Sequence, residues 1–407
     1  MASSKFSSAP YIPPDAIFAL TAEYNADPSP NKVNLGQGTY RDNNGQPWVL
    51  PAVRRAREVL TQQGLLHEYL PILGLPGLRE RTAQLVFGEG YAKIEKKLAT
   101  SQAISGTGSL HLAGKIIRYC AADKLATVYI PSPTWSNHHL VFSSLGFECI
   151  SFRYYNPDSK ALDIDAYLAT LRSAAPGSVI ILHACAHNPT GLDPSVEQWK
   201  EIGSIIKERG LFPLFDAAYL GFNSGDYDQD AWPIRYLLNE LGLEGAVCLS
   251  FAKNMGLYGE RVGALILTTP TPEIARNAQS VLESLQRSEI SNPPAFGARI
   301  AETILGDDAL KHVWFEDLKT MSGRIQEMRQ KLFAGLKQYS PSRSWDHLIQ
   351  QSGMFGFLGL EREAVRVLKD DYHIYMAENS RISIAGLNTA NVDYVAKSIG
   401  EVLQKQQ

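Results

Sequence analysis

The stretch that decides the fold is residues 177–216, GSVIILHACAHNPTGLDPSVEQWKEIGSIIKERGLFPLFD. It begins with an apolar, β-branched run at 177–184 and continues into an amphipathic segment at 195–210. It ends in a second apolar run at 211–216. Runs that are apolar on both faces, with a helix between them, predict two parallel strands joined by a crossover helix. The stretch therefore predicts one unit of a mostly parallel sheet covered by helices.

Similar apolar runs lie on both sides of this unit. Four of them predict further strands: TVYIP (127–131), ECISF (148–152), AVCLSF (246–251) and VGALILT (262–268). Because segments of helical character separate the runs, we predict an α/β fold whose large domain has a mostly parallel sheet with helices on both faces. In such sheets ligands bind beyond the carboxyl ends of the strands. Residues with chemical roles should therefore follow these runs.

The C-terminal quarter has a different pattern. From Trp314 to Leu336 apolar residues recur every three or four positions, which predicts one long helix with an apolar stripe. A short strand, GMFGFLGL (353–360), and further helices follow it. We predict three parts of the chain: a large domain at 46–314, a small α+β domain made of 12–45 and 315–407, and an N-terminal arm at 1–11.

The composition excludes several classes of protein. With 44% hydrophobic and 20% charged residues and a formal charge of −3, the chain has no general electrostatic reason to bind nucleic acid or an anionic membrane. No stretch approaches the roughly 18 uninterrupted apolar residues of a membrane span. The four cysteines lie in or beside apolar runs, which predicts reduced core residues of a cytosol-like compartment. The start, MASSKFSSAP, favours a flexible arm over a targeting signal, so we predict a cytoplasmic protein.

Residues 105–108, Ser-Gly-Thr-Gly, precede LHLAGKIIRYC, which has the pattern of a helix. Small residues there allow backbone N–H groups and hydroxyls to approach a phosphate at the positive end of that helix. A glycine-rich helix cap without a ligand is the simpler explanation when the four residues are taken alone. The segment is not a nucleotide P-loop, because no Gly-Lys-Ser/Thr follows it.

Two charged residues stand at the ends of predicted strands. Asp216 ends the run LFPLFD, where a carboxylate either caps the next helix or serves a ligand site. Lys253 lies just past AVCLSF. Its amine either reaches the surface or is partly desolvated, which would lower its pKa and favour Schiff-base chemistry. Neither residue decides between its two interpretations alone.

Two other motifs suggest different chemistry. Ser250 and Lys253 match S-x-x-K, the pattern of serine acyl-transferring penicillin-binding enzymes, but the S-D-N and K-T-G motifs of those enzymes are absent from the sequence. His183, Cys185 and His187 alternate along a predicted strand, where side chains on one face are roughly 6.5 to 7 Å apart. That spacing is wide for the ligands of one zinc ion, so we predict no metal site.

Taken together, these segments resemble the aspartate aminotransferase family, the fold-type I enzymes that use pyridoxal 5′-phosphate (PLP). The matching segments follow one another through nearly the whole chain: VNLGQGTYR (33–41), EYLPILGLPGLRE (68–80), SGTGSL (105–110), PSPTWSNHH (131–139), HACAHNPTG (183–191), DAAY (216–219), SFAKNMGLYGERVG (250–263), SNPP (291–294) and RISIAGL (381–387). The resemblance implies a transaminase that moves an amino group reversibly between L-aspartate and 2-oxoglutarate, giving oxaloacetate and L-glutamate by a ping-pong route. It also implies a homodimer with shared active sites.

The resemblance implies roles for residues around the cofactor ring. Lys253 would bind the cofactor covalently and, once displaced by substrate, carry a proton between the substrate α-carbon and cofactor C4′. Asp216 would pair with the pyridine nitrogen and keep it protonated, with His138 supporting the carboxylate from behind. Further contacts of the ring are implied for Trp135, which would stack on it, and for Asn188 and Tyr219, which would hydrogen-bond its phenolic oxygen.

The resemblance also implies how the anionic groups are bound. The cofactor phosphate would be held by Ser105, Gly106, Thr107, Ser250 and Arg261, together with Tyr69 of the partner subunit. Arg381 would bind the substrate α-carboxylate through a bidentate fork, and the Gly38 loop would close over the substrate beside Trp135 and Asn188. Arg287 of the partner subunit would bind the distal carboxylate.

Three positions depart from the family pattern. Ala252 stands where many relatives have serine, Gly259 replaces a frequent asparagine, and Gln37 replaces a small apolar residue in the loop beside the substrate. We expect them to affect cofactor affinity and loop closure. An aromatic-preferring aminotransferase on the same scaffold is the nearest alternative function, and Arg287 permits dual specificity. A catalytically silent binding protein that kept Lys253, Asp216 and Arg381 together would be surprising.

Overall fold

The computed structural model describes residues 4–121 and 126–405. Its strands are β1 (Val33–Asn34), β2 (Leu98–Ile104), β3 (Val128–Ser132), β4 (Cys149–Arg153), β5 (Tyr155–Asn156), β6 (Ala161–Leu162), β7 (Val179–His183), β8 (Phe212–Ala217), β9 (Gly245–Ser250), β10 (Val262–Thr268), β11 (Phe355–Phe357), β12 (Ile374–Tyr375) and β13 (Arg381–Ser383). Residues 1–3 of the predicted N-terminal arm lie outside the described residues.

The α-helices of the described residues are α1 (Ala16–Ala26), α2 (Pro51–Gln62), α3 (Pro76–Phe87), α4 (Tyr91–Ile94), α5 (Ser105–Cys120), α6 (Asn137–Ser144), α7 (Ile164–Ser173), α8 (Val196–Arg209), α9 (Tyr227–Ile234), α10 (Pro272–Glu289), α11 (Phe296–Gly306), α12 (Asp308–Tyr339), α13 (His347–Gln350), α14 (Arg362–Tyr372) and α15 (Val392–Lys405). A π-helical turn, Arg235–Glu240, follows α9. Within the described ranges no helix is long and apolar enough to cross a membrane.

The central sheet of the described residues has seven strands in the order β2-β10-β9-β8-β7-β3-β4. Strands β3, β4, β7, β8 and β9 are parallel to one another. Strand β10 is antiparallel to both of its neighbours, so β2 runs in the same direction as β9. All six strands predicted from apolar runs are present, and the predicted α/β fold class is confirmed. Because one strand runs against the others, the sheet is mostly rather than entirely parallel.

The unit at 177–216 forms because its local signals agree. Ser195 and Gln198 form a reciprocal capping box that begins α8, and Gly210 ends the helix in the left-handed conformation. The apolar face of α8, which includes Trp199 and Ile202, is buried, and so is every residue of β7. The crossover helix therefore covers the sheet as its sequence pattern predicts.

Strand β4 departs from the pattern. It lies at the edge of the sheet, and three of its five residues are exposed, including Ile150 at 37%. An edge strand has one neighbour and less cover, so apolar residues in its sequence do not establish burial on both faces.

The long helix predicted from Trp314 to Leu336 is α12, and all seven apolar residues of the predicted stripe are buried. Helix α12 packs on α2 and α11 and also on α15, near the end of the chain. Its Trp314 Nε1 donates a hydrogen bond of 2.7 Å to Asn254 O, in the turn that follows β9. The division of the chain into 46–314 and 12–45 with 315–407 stays a prediction.

All four cysteines are free. Cys185 and Cys248 are buried, as their apolar surroundings predict. The prediction is wrong for Cys120, which is exposed, and Cys149 is only partly buried. Cys120 is the last residue of α5, so the apolar face of the preceding turns does not extend over it.

Candidate active site

Six of the seven strands of the central sheet end at the same edge, and most of the predicted site residues follow those ends. Strand β10 begins at this edge, directly after Arg261, because it runs in the opposite direction. The edge forms the wall of a cavity of about 620 Å³, a size ordinary for a small-molecule site. The cavity is lined by twelve of the predicted residues: Gly38, Ser105, Gly106, Thr107, Trp135, Asn188, Asp216, Tyr219, Ser250, Lys253, Arg261 and Arg381.

Lys253 lies in the turn after β9, on the floor of the cavity. Its Nζ is 5.0 Å from the centre of the Tyr219 ring, which makes a cation–π contact. Burial and the nearby positive charge of Arg261 lower the pKa of Lys253, while Asp216 opposes this change. The neutral, nucleophilic form of the amine is therefore easier to reach than in water. Because Lys253 lines the cavity, the alternative interpretation, in which its amine reaches the protein surface, does not apply.

The turn that carries Lys253 is held from two sides. Asn254 donates through Nδ2 to Leu220 O at 3.1 Å, and Asn254 O accepts the indole proton of Trp314 at 2.7 Å. Both Asn254 and Trp314 are fully buried. Rigid neighbours on each side restrict the directions in which the lysine side chain can point.

Asp216 lies near the end of β8 and is 8% exposed. His138 Nε2 is 3.0 Å from Asp216 Oδ2. Burial alone would raise the pKa of this carboxyl group. The hydrogen bond from His138 and the positive charge of Lys253 outweigh burial, so the pKa of Asp216 lies below its usual value. A carboxylate held ionised in a cavity is suited to stabilise a positive charge on a ligand.

A chain of hydrogen bonds extends behind this carboxylate. The backbone N–H of Asn188 donates to His183 Nδ1 at 3.4 Å, and His183 Nε2 lies 3.1 Å from Thr134 Oγ1. Thr134 Oγ1 lies in turn 2.8 Å from His138 Nδ1. Burial holds the pKa of His183 well below its usual value, so its ring is neutral and carries its proton on Nε2. With this tautomer, each donor in the chain points toward Asp216, and the Nε2–H of His138 donates a hydrogen bond to the carboxylate.

The predicted phosphate-binding residues form a compact group. Ser105 Oγ and Ser250 Oγ are 2.8 Å apart, and both residues are buried. Ser105 and Arg261 both have φ near +55°, a conformation that costs free energy in residues other than glycine and that clusters at functional sites. Glycine at position 263 lets the backbone of Ser105 pack closely against β10, because a Cβ atom at 263 would lie 2.8 Å from Ser105 Cα. Ser105 also begins α5, whose N-terminal N–H groups attract anions.

Arg381 points into the cavity from the first position of β13. Its Nη2 donates to Gly36 O at 2.7 Å, and its Nη1 lies 3.4 Å from Asn188 Oδ1. Its Nε is buried and has no hydrogen-bond partner among residues 4–121 and 126–405. The guanidinium lies 4.4 Å from the centre of the Phe355 ring. An arginine with a free donor at the wall of a cavity is suited to bind a carboxylate.

Tyr69 and Arg287 do not line this cavity in their own chain. Tyr69 is 88% exposed and borders a separate concave surface that also includes Leu66 and Phe296. Arg287 is exposed near the end of α10, and its Nη1 donates to Ser291 Oγ at 2.5 Å. The structure of one chain therefore brings together thirteen of the fifteen predicted residues, counting His138 through its bond to Asp216.

Four residues that sequence analysis did not assign to the site have a defined place in it. Phe355 and Tyr258 line the cavity, and Tyr258 OH accepts a hydrogen bond from the backbone N–H of Tyr40 at 2.9 Å. Thr134 and His183 complete the hydrogen-bond chain behind Asp216. For Thr134 and His183, the sequence offered only their position as an indication, since Thr134 lies beside Trp135 and His183 ends a predicted strand.

The three departures from the family pattern have different surroundings. Ala252 is buried, and its N–H donates to Ser250 Oγ at 3.1 Å. Gly259 is exposed, with open space where a side chain would extend. The N–H of Gln37 lies 3.3 Å from Asn34 Oδ1. Their effects on cofactor affinity and loop closure stay predictions.

This fold and cavity define a class of protein: an α/β enzyme with a desolvated lysine, an ionised carboxylate and an anion-binding helix terminus at one sheet edge. Residues 30–399 match the family model described as aminotransferase class I and II. The chain belongs to this family.

Individual relatives match over nearly the full chain. The mitochondrial aspartate aminotransferase of Dictyostelium discoideum is 46% identical, over 96% of this chain and 91% of that protein. The cytoplasmic aspartate aminotransferase of Gallus gallus is 43% identical over the whole of both chains. The solved structure of the aspartate aminotransferase from Saccharomyces cerevisiae cytoplasm superposes with a TM-score of 0.95, at 40% identity and 99% coverage of both chains. An aromatic-amino-acid aminotransferase from Burkholderia pseudomallei, covalently bound to pyridoxal phosphate, has a TM-score of 0.95 at 36% identity, over 98% of this chain and all of that chain.

Proposed function

We propose that this chain is a PLP-dependent aspartate aminotransferase, which transfers an amino group reversibly between L-aspartate and 2-oxoglutarate. Oxaloacetate and L-glutamate are the products, formed in two half-reactions of a ping-pong mechanism. The observation that carries the proposal is the grouping of Lys253, Asp216 and Arg381 around one cavity. A nucleophilic amine, a buried anion and a carboxylate-binding cation are the three functions that this reaction needs from the protein.

The names of the relatives support the same substrate. The proteins from Dictyostelium, chicken and yeast are all named aspartate aminotransferases, and they match this chain over nearly its full length. The Burkholderia protein is named for aromatic amino acids and is less similar in sequence, at 36% identity. This order of similarity favours a dicarboxylic substrate, with aromatic amino acids as secondary substrates.

The residues of the cavity fit PLP. The paired hydroxyls of Ser105 and Ser250, the start of α5 and Arg261 provide donors and positive charge for a phosphate. Asp216 provides the anion for a protonated ring nitrogen. When bound, PLP supplies an electron-withdrawing ring that stabilises the negative charge left on the substrate α-carbon.

The remaining roles rest on the family resemblance and on the position of each residue at the cavity. Lys253 would hold the cofactor covalently, and its freed Nζ would then move a proton between the substrate α-carbon and cofactor C4′. Asn188 and Tyr219 would hydrogen-bond the phenolic oxygen, and Trp135 would cover one face of the ring. Burial raises the pKa of Tyr219, so its phenol stays protonated and acts as a donor. His138 keeps Asp216 oriented and ionised through its 3.0 Å contact.

Arg381 binds the α-carboxylate that every amino-acid substrate carries. Gly38 also lines the cavity, and a Cβ atom there would lie 3.0 Å from Phe355 Cζ. Glycine at this position therefore lets the loop pass close to the Phe355 ring. Arg287 of the partner subunit binds the distal carboxylate, which distinguishes aspartate from neutral amino acids.

The proposal is tested by the visible absorption spectrum of the purified protein. We expect a yellow protein whose visible band is lost when L-aspartate is added and returns when 2-oxoglutarate is added. L-Arginine is the matched control, because its cationic side chain would meet Arg287 and should leave the band unchanged. A colourless protein that instead becomes labelled by penicillin would be a serine acyltransferase, and the proposal would be wrong.

We also propose that the protein is a homodimer in which Tyr69 and Arg287 enter the site of the other subunit. Exposed apolar residues around Tyr69, including Leu66 at 72% and Phe296 at 48%, support an interface at this surface. A twofold axis makes the exchange reciprocal, so each site would gain one tyrosine and one arginine. In their own chain neither residue lines the cavity that they are proposed to serve.

A hybrid dimer tests the shared site. Lys253→Ala and Arg287→Ala, each nearly inactive alone, are unfolded together and refolded as an equal mixture. In a hybrid, one site carries both defects, while the other keeps its own Lys253 and receives an intact Arg287. About half of the dimers should be hybrids with one good site, so activity should recover to about a quarter of the wild type.

The control mixes Lys253→Ala with Asp216→Ala, two residues that line the same cavity within one chain. In that hybrid each site keeps one defect, so activity should not recover. Hybrids separated by a charge tag that nevertheless stay inactive in the first mixture would place Arg287 in its own subunit's site.

For the compartment, we propose the cytoplasm. The chicken and yeast relatives are named as cytoplasmic, and both match this chain over 99% or more of its length. The Dictyostelium relative is named as mitochondrial, so imaging of a C-terminally tagged protein is the deciding measurement.

A further inference from the structure

Arg329 is a buried cation that the proposed mechanism does not use. It lies on α12, which contributes no residue to the lining of the cavity, and it is 4% exposed. Burial lowers the pKa of its guanidinium to about 10. In the described part of the chain no carboxylate forms an ion pair with it. Burying a charge without an opposite charge costs free energy. A buried arginine at this position therefore suggests that its hydrogen bonds have a function.

Both hydrogen bonds of Arg329 go to one short segment. Its Nη2 donates to Gly353 O at 2.7 Å and to Phe355 O at 2.8 Å. The carbonyl between them, Met354 O, accepts instead from Ile384 N at 2.8 Å, on the segment that follows Arg381. The cation therefore holds the chain on both sides of Met354 against α12, and charge-assisted bonds are the stronger kind.

The held segment carries Phe355, which is 3% exposed and touches the substrate-binding wall of the cavity. The Phe355 ring lies 4.4 Å from the Arg381 guanidinium carbon and packs edge-on to Tyr219 with ring centres 6.4 Å apart. The same ring sets the clearance at Gly38, where a Cβ atom would be 3.0 Å away. A shift of Phe355 would therefore move the surface under Arg381.

The segment has little freedom to compensate for a loss of Arg329. Ser352 N donates to Gly191 O at 2.7 Å, in the loop that also carries Asn188. Gly353 has φ +74°, and a Cβ atom there would lie 2.5 Å from Ala186 Cβ. The backbone at 353 thus passes between Ala186 on one side and Arg329 on the other. On one side of this backbone, a larger residue at Ala186 would collide with it. On the other side, Arg329 can be replaced by a residue of different length or charge without such a collision.

We propose that Arg329 is a positioning residue for substrate binding: through Phe355 it holds the Arg381 guanidinium in the orientation that receives the α-carboxylate. This inference rests on the proposed function and deepens it. The guanidinium of Arg381 already has two protein acceptors, Gly36 O at 2.7 Å and Asn188 Oδ1 at 3.4 Å. To bind a carboxylate as well, the plane of the guanidinium must be held at a fixed angle. Phe355 packs against the face of that plane and fixes the tilt.

The first test is Arg329→Met, which keeps an unbranched apolar stem, shortens the side chain and removes the donors. We expect KM for aspartate and 2-oxoglutarate to rise by about 10- to 100-fold, the cost of a misplacement on the order of 1 Å. KM for an aromatic amino acid should rise by the same factor, because the α-carboxylate is common to all substrates. The kcat at saturation should change much less than KM, because Arg329 bonds to Gly353 and Phe355 and not to Lys253 or Asp216.

Two further variants separate positioning from general stability. Leu332→Ala, also buried on α12, should lower the melting temperature by a comparable amount and leave KM unchanged. Phe355→Leu should raise KM by itself. If Arg329 acts through Phe355, the double variant should be no worse than Phe355→Leu alone, since a residue cannot act through a ring that is absent.

The outcomes are distinguishable. Additive KM effects in the double variant, or a rise for aspartate without a rise for the aromatic substrate, would overturn the inference. If Arg329→Met does not fold, Arg329→Lys decides, since it keeps the charge but its Nζ ends one bond short of the Nη2 position that donates to both carbonyls. An unchanged KM in Arg329→Lys would then overturn the inference. A wild-type protein that transfers no amino group from aspartate would instead overturn the proposed function.

Discussion

Lys253→Ala is expected to lower kcat for aspartate and 2-oxoglutarate by roughly 10⁴-fold, the upper end of what a positioned acid–base group contributes. The amine of Lys253 has two proposed roles, because it would bind the cofactor covalently and then move the proton on the substrate α-carbon. It is suited to both, since burial lowers its pKa and the turn around Asn254 fixes its direction. Alanine removes the amine and leaves the rest of the cavity in place.

The measurement combines kinetics with chemical labelling. Oxaloacetate formation gives kcat, and borohydride reduction of the wild type followed by peptide mapping identifies the lysine that carries the cofactor. The label should be found in the peptide that contains Lys253. A label on any other lysine would show that the assignment is wrong, whatever the activity of Lys253→Ala.

Two control variants separate the amine from its charge and from general effects of substitution. Lys253→Arg keeps a positive charge in the cavity but cannot form the covalent link, so it should be as inactive as Lys253→Ala. Lys207→Ala removes an exposed lysine from the last turn of α8 and should keep wild-type activity. Activity in Lys253→Arg close to wild type would mean that charge alone is needed at this position.

Asp216→Ala is expected to keep the cofactor bound while kcat falls by about 1000-fold. An ion pair at 4 Å and an effective dielectric constant of 20 is worth about 4 kcal/mol, or about three units of pKa for the ring nitrogen. Without the carboxylate the ring nitrogen loses its proton at neutral pH and withdraws electrons less strongly. The pKa of Asp216 lies below its usual value, so the wild-type carboxylate is ionised throughout the working range of pH.

The retained cofactor distinguishes this result from simple unfolding. The proposed phosphate site at Ser105, Ser250 and Arg261 does not include Asp216, so the protein should still be isolated with PLP. Asp216→Glu is the matched control, since it keeps a carboxylate one methylene further out and should recover part of the lost activity. Turnover near the wild-type value in Asp216→Ala would exclude the proposed role of the carboxylate.

The hydrogen-bond chain behind Asp216 illustrates how far sequence analysis could go. His138 was assigned a supporting role from the family resemblance, and the structure places its Nε2 at 3.0 Å from Asp216 Oδ2. The links through Thr134 and His183 were missed, because they join residues that are 4 and 49 positions apart. No local pattern distinguishes those residues from ordinary polar neighbours.

Strand β2 was missed for a related reason. Its middle residues, Thr100, Ser101 and Gln102, interrupt the apolar pattern that identified the other strands of the sheet. Ser101 and Gln102 are fully buried, and Ser101 Oγ lies 3.0 Å from Gln286 Oε1 on α10. Polar residues can occupy a buried strand when another element supplies their hydrogen-bond partners. That partner is 185 residues away in the sequence.

The sequence alone determined what depends on near neighbours in the chain. The alternation of apolar runs and amphipathic segments predicted the α/β fold, and the stripe from Trp314 to Leu336 predicted the long helix α12, because period and burial are local properties of a segment. Position after a strand end also singled out Asp216 and Lys253, since parallel strands deliver their carboxyl ends to one edge.

Only the tertiary structure decided what those residues do to one another. Burial lowers the pKa of Lys253, whereas the pKa of Asp216 is lowered against burial by the hydrogen bond from His138 on α6 and by nearby positive charge. The support of Arg381 by Phe355, and of Phe355 by Arg329, joins β13, β11 and α12. Electrostatic and packing effects act through space over a few ångströms. Segments far apart in the sequence must therefore be brought together before those effects exist.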